Sequence, residues 1–400
     1  MDVRVKSILS LVLVGLLVTS VSLAEEKEKP APPPPYPVKG QVIQTLKAFD
    51  NPEGAIFSAD GKFVFISNAA ELGMKEKGFH WTEKAGYISK LEVQPDGTLK
   101  MVKDKLITGL TAPLGMAVLP VATKKFPKGT IFLCAGAAPI AEANGTEIKD
   151  AKRMDPKLVA FDTEGKVLGE IKMGMNSAFA KANGGSPATL PNAAGFDKEG
   201  NLYVADTGIG GASFDPPVKT NGGVYMIPHG ALDDLADGKE ASVSFIAMPE
   251  GGPDGVEVAP DGSIHTNTVG VAAGMKDPAQ GGMYKLSVED FKTGKLPAPF
   301  VTGLGALDGL DFAGNARLDT EIVNTNSVIV TLLPDGKPMM LTYDQPDKKL
   351  AGPADIAVHK MADGSYLLVI PELSALAPNT NQDPVTVVKL PADFDKGGKK

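Results

Sequence analysis

One position in a repeated unit of this sequence gathers residues able to hold a cation. It carries Glu53 after Pro52, Asn192 after Pro191, Asp254 after Pro253 and Asp308 after Leu307; two further copies carry Leu114 and Ala354. Four of six such positions therefore offer side-chain oxygen, and three offer carboxylates. Carboxylates packed closely repel one another and hold their protons unless a cation compensates them. Oxygen donors from Glu, Asp and Asn suit a hard cation, Ca2+ first, with Mn2+ or Mg2+ as alternatives. No Cys or His stands at this position, which argues against zinc and copper. Turn capping is the competing reading for any single residue, because Asp and Asn near strand starts bind local backbone N–H groups. The fourfold coincidence favours the metal.

The repeat shows which elements must position these residues. Pro52-Glu53-Gly54-Ala55-Ile56-Phe57 leads into the turn Ala59-Asp60-Gly61-Lys62 and the apolar strand Phe63 to Ile66. The same unit returns as Pro191 to Phe196, with the turn Lys198-Glu199-Gly200-Asn201, and as Pro253 to Val258, with the turn Pro260-Asp261-Gly262-Ser263. Weaker copies begin at Pro113, Leu307 and Pro353. Asp-Gly and Glu-Gly between apolar runs are hairpin signals, because glycine takes positive φ without steric cost. Each copy reads as strand, tight turn, strand, long loop, strand and a fourth strand. Six copies predict an all-β fold, a six-bladed β-propeller with four-stranded blades. The last copy supplies only three strands, ending at Val385 to Leu390, and Gln41 to Phe49 is free to act as its outer strand. That three-plus-one closure leaves the ring no open edge. Helix is confined to short turns at Ala231 to Ala236 and Val288 to Phe291.

Antiparallel order then sorts the faces. The six repeated positions start innermost strands and should ring one mouth of the central channel. The long connections 68–85, 135–155 and 207–221 lie on that same face, where a binding site is expected. The stretch Met173 to Leu190 is a candidate lid. Asn68, Asp206, Asn267 and Asn324 end second strands on this face, and His265 lies on one. They are candidates for contacting substrate, with loop capping as the alternative. His80 beside Trp81 sits in a rim loop, whereas His229 and His359 read as turn or strand-end residues. Glu257 and Asp311 follow their ring residues by three. They either line a deeper channel layer able to take a second cation or alternate outward between blades. Cys134, on an apolar strand, reads as a small buried hydrophobe. No nucleophile elbow, haem-attachment motif or glycine-rich phosphate loop is present.

The circular order Glu53, apolar, Asn192, Asp254, Asp308 resembles the senescence-marker-protein/gluconolactonase/luciferin-regenerating-enzyme family of propellers, across residues 41–390. It is also similar to the related calcium-dependent phosphotriesterase and paraoxonase propellers. The motifs are short and shared with NHL-type propellers that are not enzymes. By motif position the resemblance implies a Ca2+ held by Glu53, Asn192, Asp254 and Asp308, with Asp308 also the general base or nucleophile. Two departures stand out: Asp254 replaces the usual Asn, and the first copy reads Glu-Gly-Ala in place of Glu-Gly-Pro. The expectation is a Ca2+-dependent hydrolase of lactones or related esters. The alternatives are a phosphotriesterase-like hydrolase and a non-catalytic NHL-like propeller that binds a protein or a small ligand.

Composition bounds the remaining choices. The 400 residues include 45 Gly and 32 Pro, a surplus that favours tight turns over helical bundles. A single cysteine excludes an intramolecular disulfide framework, a multi-thiolate zinc site and an iron–sulfur cluster. A net charge of −8 disfavours nucleic acid as a partner. Arg4 and Lys6 precede an apolar run from Ile8 to Ala24 that ends in Ser22-Leu23-Ala24, the pattern of a cleavable signal peptide over 1–24. A charged and Pro-rich linker follows over 25–37, and the propeller is expected over 38–395. The mature protein is accordingly expected in the periplasm or secreted, monomeric, free of the membrane and acting on a small molecule.

Overall fold

Short apolar runs punctuated by glycine turns become antiparallel strands, and the turn glycines take the backbone conformation that other residues resist. Gly61, Gly200 and Gly262 have φ of 68°, 89° and 84°. The computed structural model describes residues 31–70, 73–75, 78–80, 83–136, 155–208, 222–248, 251–270, 280–334, 336–373 and 382–397. The predicted signal segment and the loops 137–154 and 209–221 lie outside the described residues. The chain divides into Met1–Pro32 and a unit spanning Pro33–Lys400. Among the described residues no helix is long and apolar enough to cross a membrane.

Six antiparallel sheets follow the repeats. Blade 1 comprises Pro52–Phe57, Phe63–Asn68, Gly86–Val93 and Leu99–Leu110, and blade 2 Met116–Val118, Ile131–Ala135, Lys157–Phe161 and Val167–Lys172. Blade 3 comprises Pro191–Phe196, Leu202–Asp206, Gly223–Ile227 and Ser244–Ala247, and blade 4 Pro253–Val258, Ile264–Thr268 and Met283–Leu286. Blade 5 comprises Leu307–Ala313, Ala316–Glu321, Ser327–Leu332 and Met339–Met340. Blade 6 comprises Ala357–Lys360, Tyr366–Pro371 and Asp383–Leu390, and Gln41–Phe49 pairs with its last strand. The predicted closure is present in that register, from Gln41 opposite Lys389 to Phe49 opposite Asp383.

Three local differences from the sequence reading stand out. In blade 4 the fourth strand shrinks to one bridge between Met283 and Val301. The chain after Leu286 turns into the helix Val288–Thr293, which Ser287 and Asp290 cap reciprocally and Phe291 anchors in the core. The candidate lid over 173–190 contains the helix Ala178–Ala182 and is packed down. Met173 and Phe179 are fully buried, and Phe179 meets Tyr225 edge-on at 5.2 Å. The end of the predicted spacer also joins the fold: Pro35 bridges Met340, and the buried Tyr36 packs on Phe394.

Packing between blades is apolar at five of the six interfaces. Phe65, Leu133 and Phe161 fill the space between blades 1 and 2, and Tyr203, Val256 and Leu286 that between blades 3 and 4. Between blades 4 and 5 the apolar cluster is small, comprising Met283, Leu307 and Ile329. A polar network takes its place. Arg317, fully buried, donates Nη2 to Asp319 Oδ1 at 2.7 Å and Nε to Oδ2 at 2.9 Å, and stacks on Phe300.

Candidate functional site

The inner strands place the predicted ring through a shared irregularity. Pairing with the second strand breaks between Pro52 and Ala55, Pro191 and Ala193, Pro253 and Val256, and Leu307 and Leu310. Glu53, Asn192, Asp254 and Asp308 each lie inside such a bulge, which releases a side chain from strict alternation and re-aims it. Glycine beside the ring residue allows neighbouring inner strands to touch. A Cβ on Gly54 would strike the Leu114 carbonyl, and one on Gly255 would lie 2.7 Å from the Asp308 oxygen. Gly115 donates to the Asn192 carbonyl at 2.7 Å, and Gly309 to that of Ala354 at 2.8 Å. These contacts link the ring positions of blades 1 to 3 and those of blades 4 to 6.

The ring is buried and electrostatically uncompensated. Glu53, Asn192, Asp254 and Asp308 are between 4% and 8% exposed. Glu53 Oε2 is a buried acceptor with no hydrogen-bond partner. Burial, then the charges of Asp254 and Asp355, push the Glu53 carboxyl well above the usual carboxylate range. Asp254 and Asp308 hydrogen-bond to each other. Burial raises Asp254 to about 7, and burial with the charges of Asp254 and Glu53 holds Asp308 protonated well above its usual range. No salt bridge among the described residues reaches any of the three. The donor set is wholly oxygen and, with the orphaned Glu53 atom, suits a hard cation. Among the described residues no group of three His, Cys, Asp or Glu side chains is already closed around one ion position.

Second strands buttress the bulges with polar side chains. Ser67 Oγ accepts from Gly54 N at 2.7 Å, and Thr266 Oγ1 donates to the Gly255 carbonyl at 2.8 Å. Thr320 Oγ1 donates to the Ala354 carbonyl at 3.1 Å. Asn267 is used in the same way: its Oδ1 accepts from Gly255 N at 2.9 Å, and its Nδ2 donates to Asp319 at 3.0 Å. Asn267 thus links the Arg317–Asp319 pair to the bulge that carries Asp254.

The other predicted substrate residues are placed differently from the ring. Asn68 is fully buried, accepting from Asp50 N and donating to Ser89 Oγ. Asp206, also fully buried, accepts from the N–H groups of Thr189, Leu190 and Gly208. Burial raises Asp206 to about 6 against those bonds. Each holds the segment that feeds an inner strand, so neither presents a surface to substrate. His265 lies in the polar interface, its Nδ1 3.1 Å from Arg317 and its Nε2 2.9 Å from Ser263. Burial and Arg317 lower it to about 3, leaving a neutral ring with no access to the channel mouth. Asn324 alone is exposed on a rim loop, and its amide donates to Glu321. Trp81 lies outside the described residues.

Below the ring, the channel continues as an acidic column. Glu257 and Asp311 line a cavity of about 580 Å3 whose walls include Ile56, Val118, Val258 and Val358 and whose rim includes the turns at Lys198 and Asp261. It opens on the turn face, opposite the ring. Burial raises Asp311 to about 7 and Glu257 well above its usual range. Asp355 stands between the two levels, accepting from Ala55 N at 2.9 Å and raised by burial to about 7. Sequence reasoning missed Asp355, because the acid follows Ala354 where blades 1, 2, 4 and 5 have glycine and blade 3 has Ala193. The acid displaced by one place was the available signal.

No family model matches this sequence, and no curated protein does. Solved structures share its fold. A protein of unknown function from Dyadobacter fermentans aligns with a TM-score of 0.54 at 12% identity, over 88% of this chain and 99% of that one. A gluconolactonase from Xanthomonas campestris aligns with a TM-score of 0.51 at 14% identity, over 90% and 98%. At such identities the likeness establishes architecture, and the chain is a six-bladed β-propeller built as these proteins are.

Proposed function

We propose that this protein is an exported hydrolase of lactones or related esters, working with Ca2+ at the channel mouth. The observation that carries the reading is the buried, partnerless Glu53 Oε2 beside the Asp254–Asp308 pair. Glu53, Asn192, Asp254 and Asp308 would hold the ion through oxygen atoms alone, with Mn2+ or Mg2+ as weaker occupants. When bound, such an ion polarises a carbonyl oxygen and offsets the negative charge of the ring. Asp308, its proton lost to solvent, would serve as base toward a water molecule; were it instead to attack the acyl carbon, the ester C–O bond would break to leave an acyl-aspartyl anhydride that water then cleaves, restoring the carboxylate. In the first course a new C–O bond forms to water and the ester C–O bond breaks. The proton taken by Asp308 passes to the departing alkoxide. The likeness to a gluconolactonase fold makes sugar lactones the first substrates to try.

Export rests on Arg4, Lys6 and the apolar run to Ala24, and N-terminal sequencing of the mature protein should begin at Glu25. Hydrolysis is tested on a lactone and ester panel with Ca2+, Mn2+ and Mg2+. Asp308→Asn should keep the thermal midpoint while lowering kcat by about 100-fold or more. Turnover of nothing in the panel would remove the enzymatic reading. Calorimetry showing no Ca2+ binding, or binding indifferent to Glu53→Gln with Asp254→Asn, would remove the metal.

A further inference from the structure

Thr207 follows the second strand of blade 3 and is 1% exposed. Its backbone is fixed by a bond from its N–H to the Leu190 carbonyl at 3.0 Å. Its hydroxyl touches two groups: Oγ1 lies 3.1 Å from the Pro253 carbonyl and 3.2 Å from the Asn192 side-chain amide. A carbonyl oxygen only accepts, so the single hydroxyl proton of Thr207 is committed to Pro253. The contact to Asn192 must then be donated by the amide, which places Nδ2 against Thr207. The amide is planar, so Oδ1 is presented on the other edge, where it accepts no hydrogen bond among the described residues. A flipped amide would set two oxygen atoms against each other with no proton between them.

We propose that Thr207 is a positioning residue that orients the Asn192 amide so that its oxygen, rather than its nitrogen, faces the cation site. The same hydroxyl ties Asn192 to the strand that begins Pro253-Asp254, so two predicted ligands in adjacent blades share one anchor. Ser and Thr supply the required proton, whereas valine matches the shape of threonine without it. The inference rests on the ring being a cation site, and it concerns how that site is held in readiness.

Ca2+ titration calorimetry on the full chain tests it, with thermal midpoints in chelator to monitor folding. Thr207→Val should weaken Ca2+ binding about 10- to 100-fold, the usual effect of losing a partner that orients a ligand. Thr207→Ser should restore it to within a few-fold of wild type. In an Asn192→Asp background, where both side-chain oxygens accept and no flip matters, Thr207→Val should weaken binding much less. Wild-type binding with an unaffected Thr207→Val, a Thr207→Ser as weak as the valine, or an equal loss in the Asn192→Asp background would each overturn the proposal. Absence of Ca2+ binding by the wild type would overturn the ring reading, and this proposal with it.

Discussion

Two sets of buried acids, one on second strands and one on first strands, are treated in opposite ways. Asp206, Asp319 and Glu321, at the second strands, are fully buried and saturated with donors. Asp206 receives backbone N–H groups, Asp319 receives Arg317 and Asn267, and Glu321 receives Ala306 N and Thr325 Oγ1. Glu53, Asp254 and Asp308, at the inner strands, face one another and, among the described residues, no basic side chain. A saturated carboxylate braces the fold, whereas an unsaturated cluster opposes it until something binds. Burial is common to both sets. The supply of donors separates the bracing acids from the ring acids.

The contrast can be broken most sharply at Asp319. Asp319→Ala leaves the Arg317 guanidinium buried without its counter-charge, and unfolding in denaturant should show a loss of about 3–5 kcal/mol. A loss below about 1 kcal/mol would mean that the polar interface contributes little. A smaller effect comes from the channel acids. Asp254, Asp311 and Asp355 have native values near 7 against an ordinary value of 3.8. Between those values the native state keeps protons that the unfolded chain has released, so stability falls as pH rises through that window. Discounted for water in the channel, the fall in metal-free protein should be on the order of 2 kcal/mol, and added Ca2+ should flatten it. His265 works in the other direction, losing stability as pH drops from 6.5 toward 3. The smallest effect is expected for Glu53→Gln. It should stabilise the metal-free protein by about 1 kcal/mol and reduce the pH slope. Destabilisation by that change would place Glu53 with the bracing acids.

The sequence carried the blades well, because Asp-Gly and Glu-Gly turns between apolar runs leave few other folds open. The closing strand Gln41–Phe49 was legible for the same reason, since a three-stranded last copy needs a partner. The ring position was legible as well, because a repeat compares one residue with five equivalents. The roles of Asn68 and Asp206 were not. A polar residue ending a strand reads alike whether it faces a ligand or turns back on the preceding loop. The Arg317–Asp319–His265 network was hidden because its members come from two blades and meet only across an interface. The missing fourth strand of blade 4 was decided locally, by the Ser287 and Asp290 cap that favours helix.

Ring closure by Gln41–Phe49 has a consequence for how the molecule is made. Its partner, Asp383–Leu390, is synthesised long after it, so the strand waits unpaired while the intervening blades are made. Pairing across almost the whole chain is slow, because loop closure must precede any gain from the contact. Until then the ring has an open edge, which is a hazard for pairing with other chains.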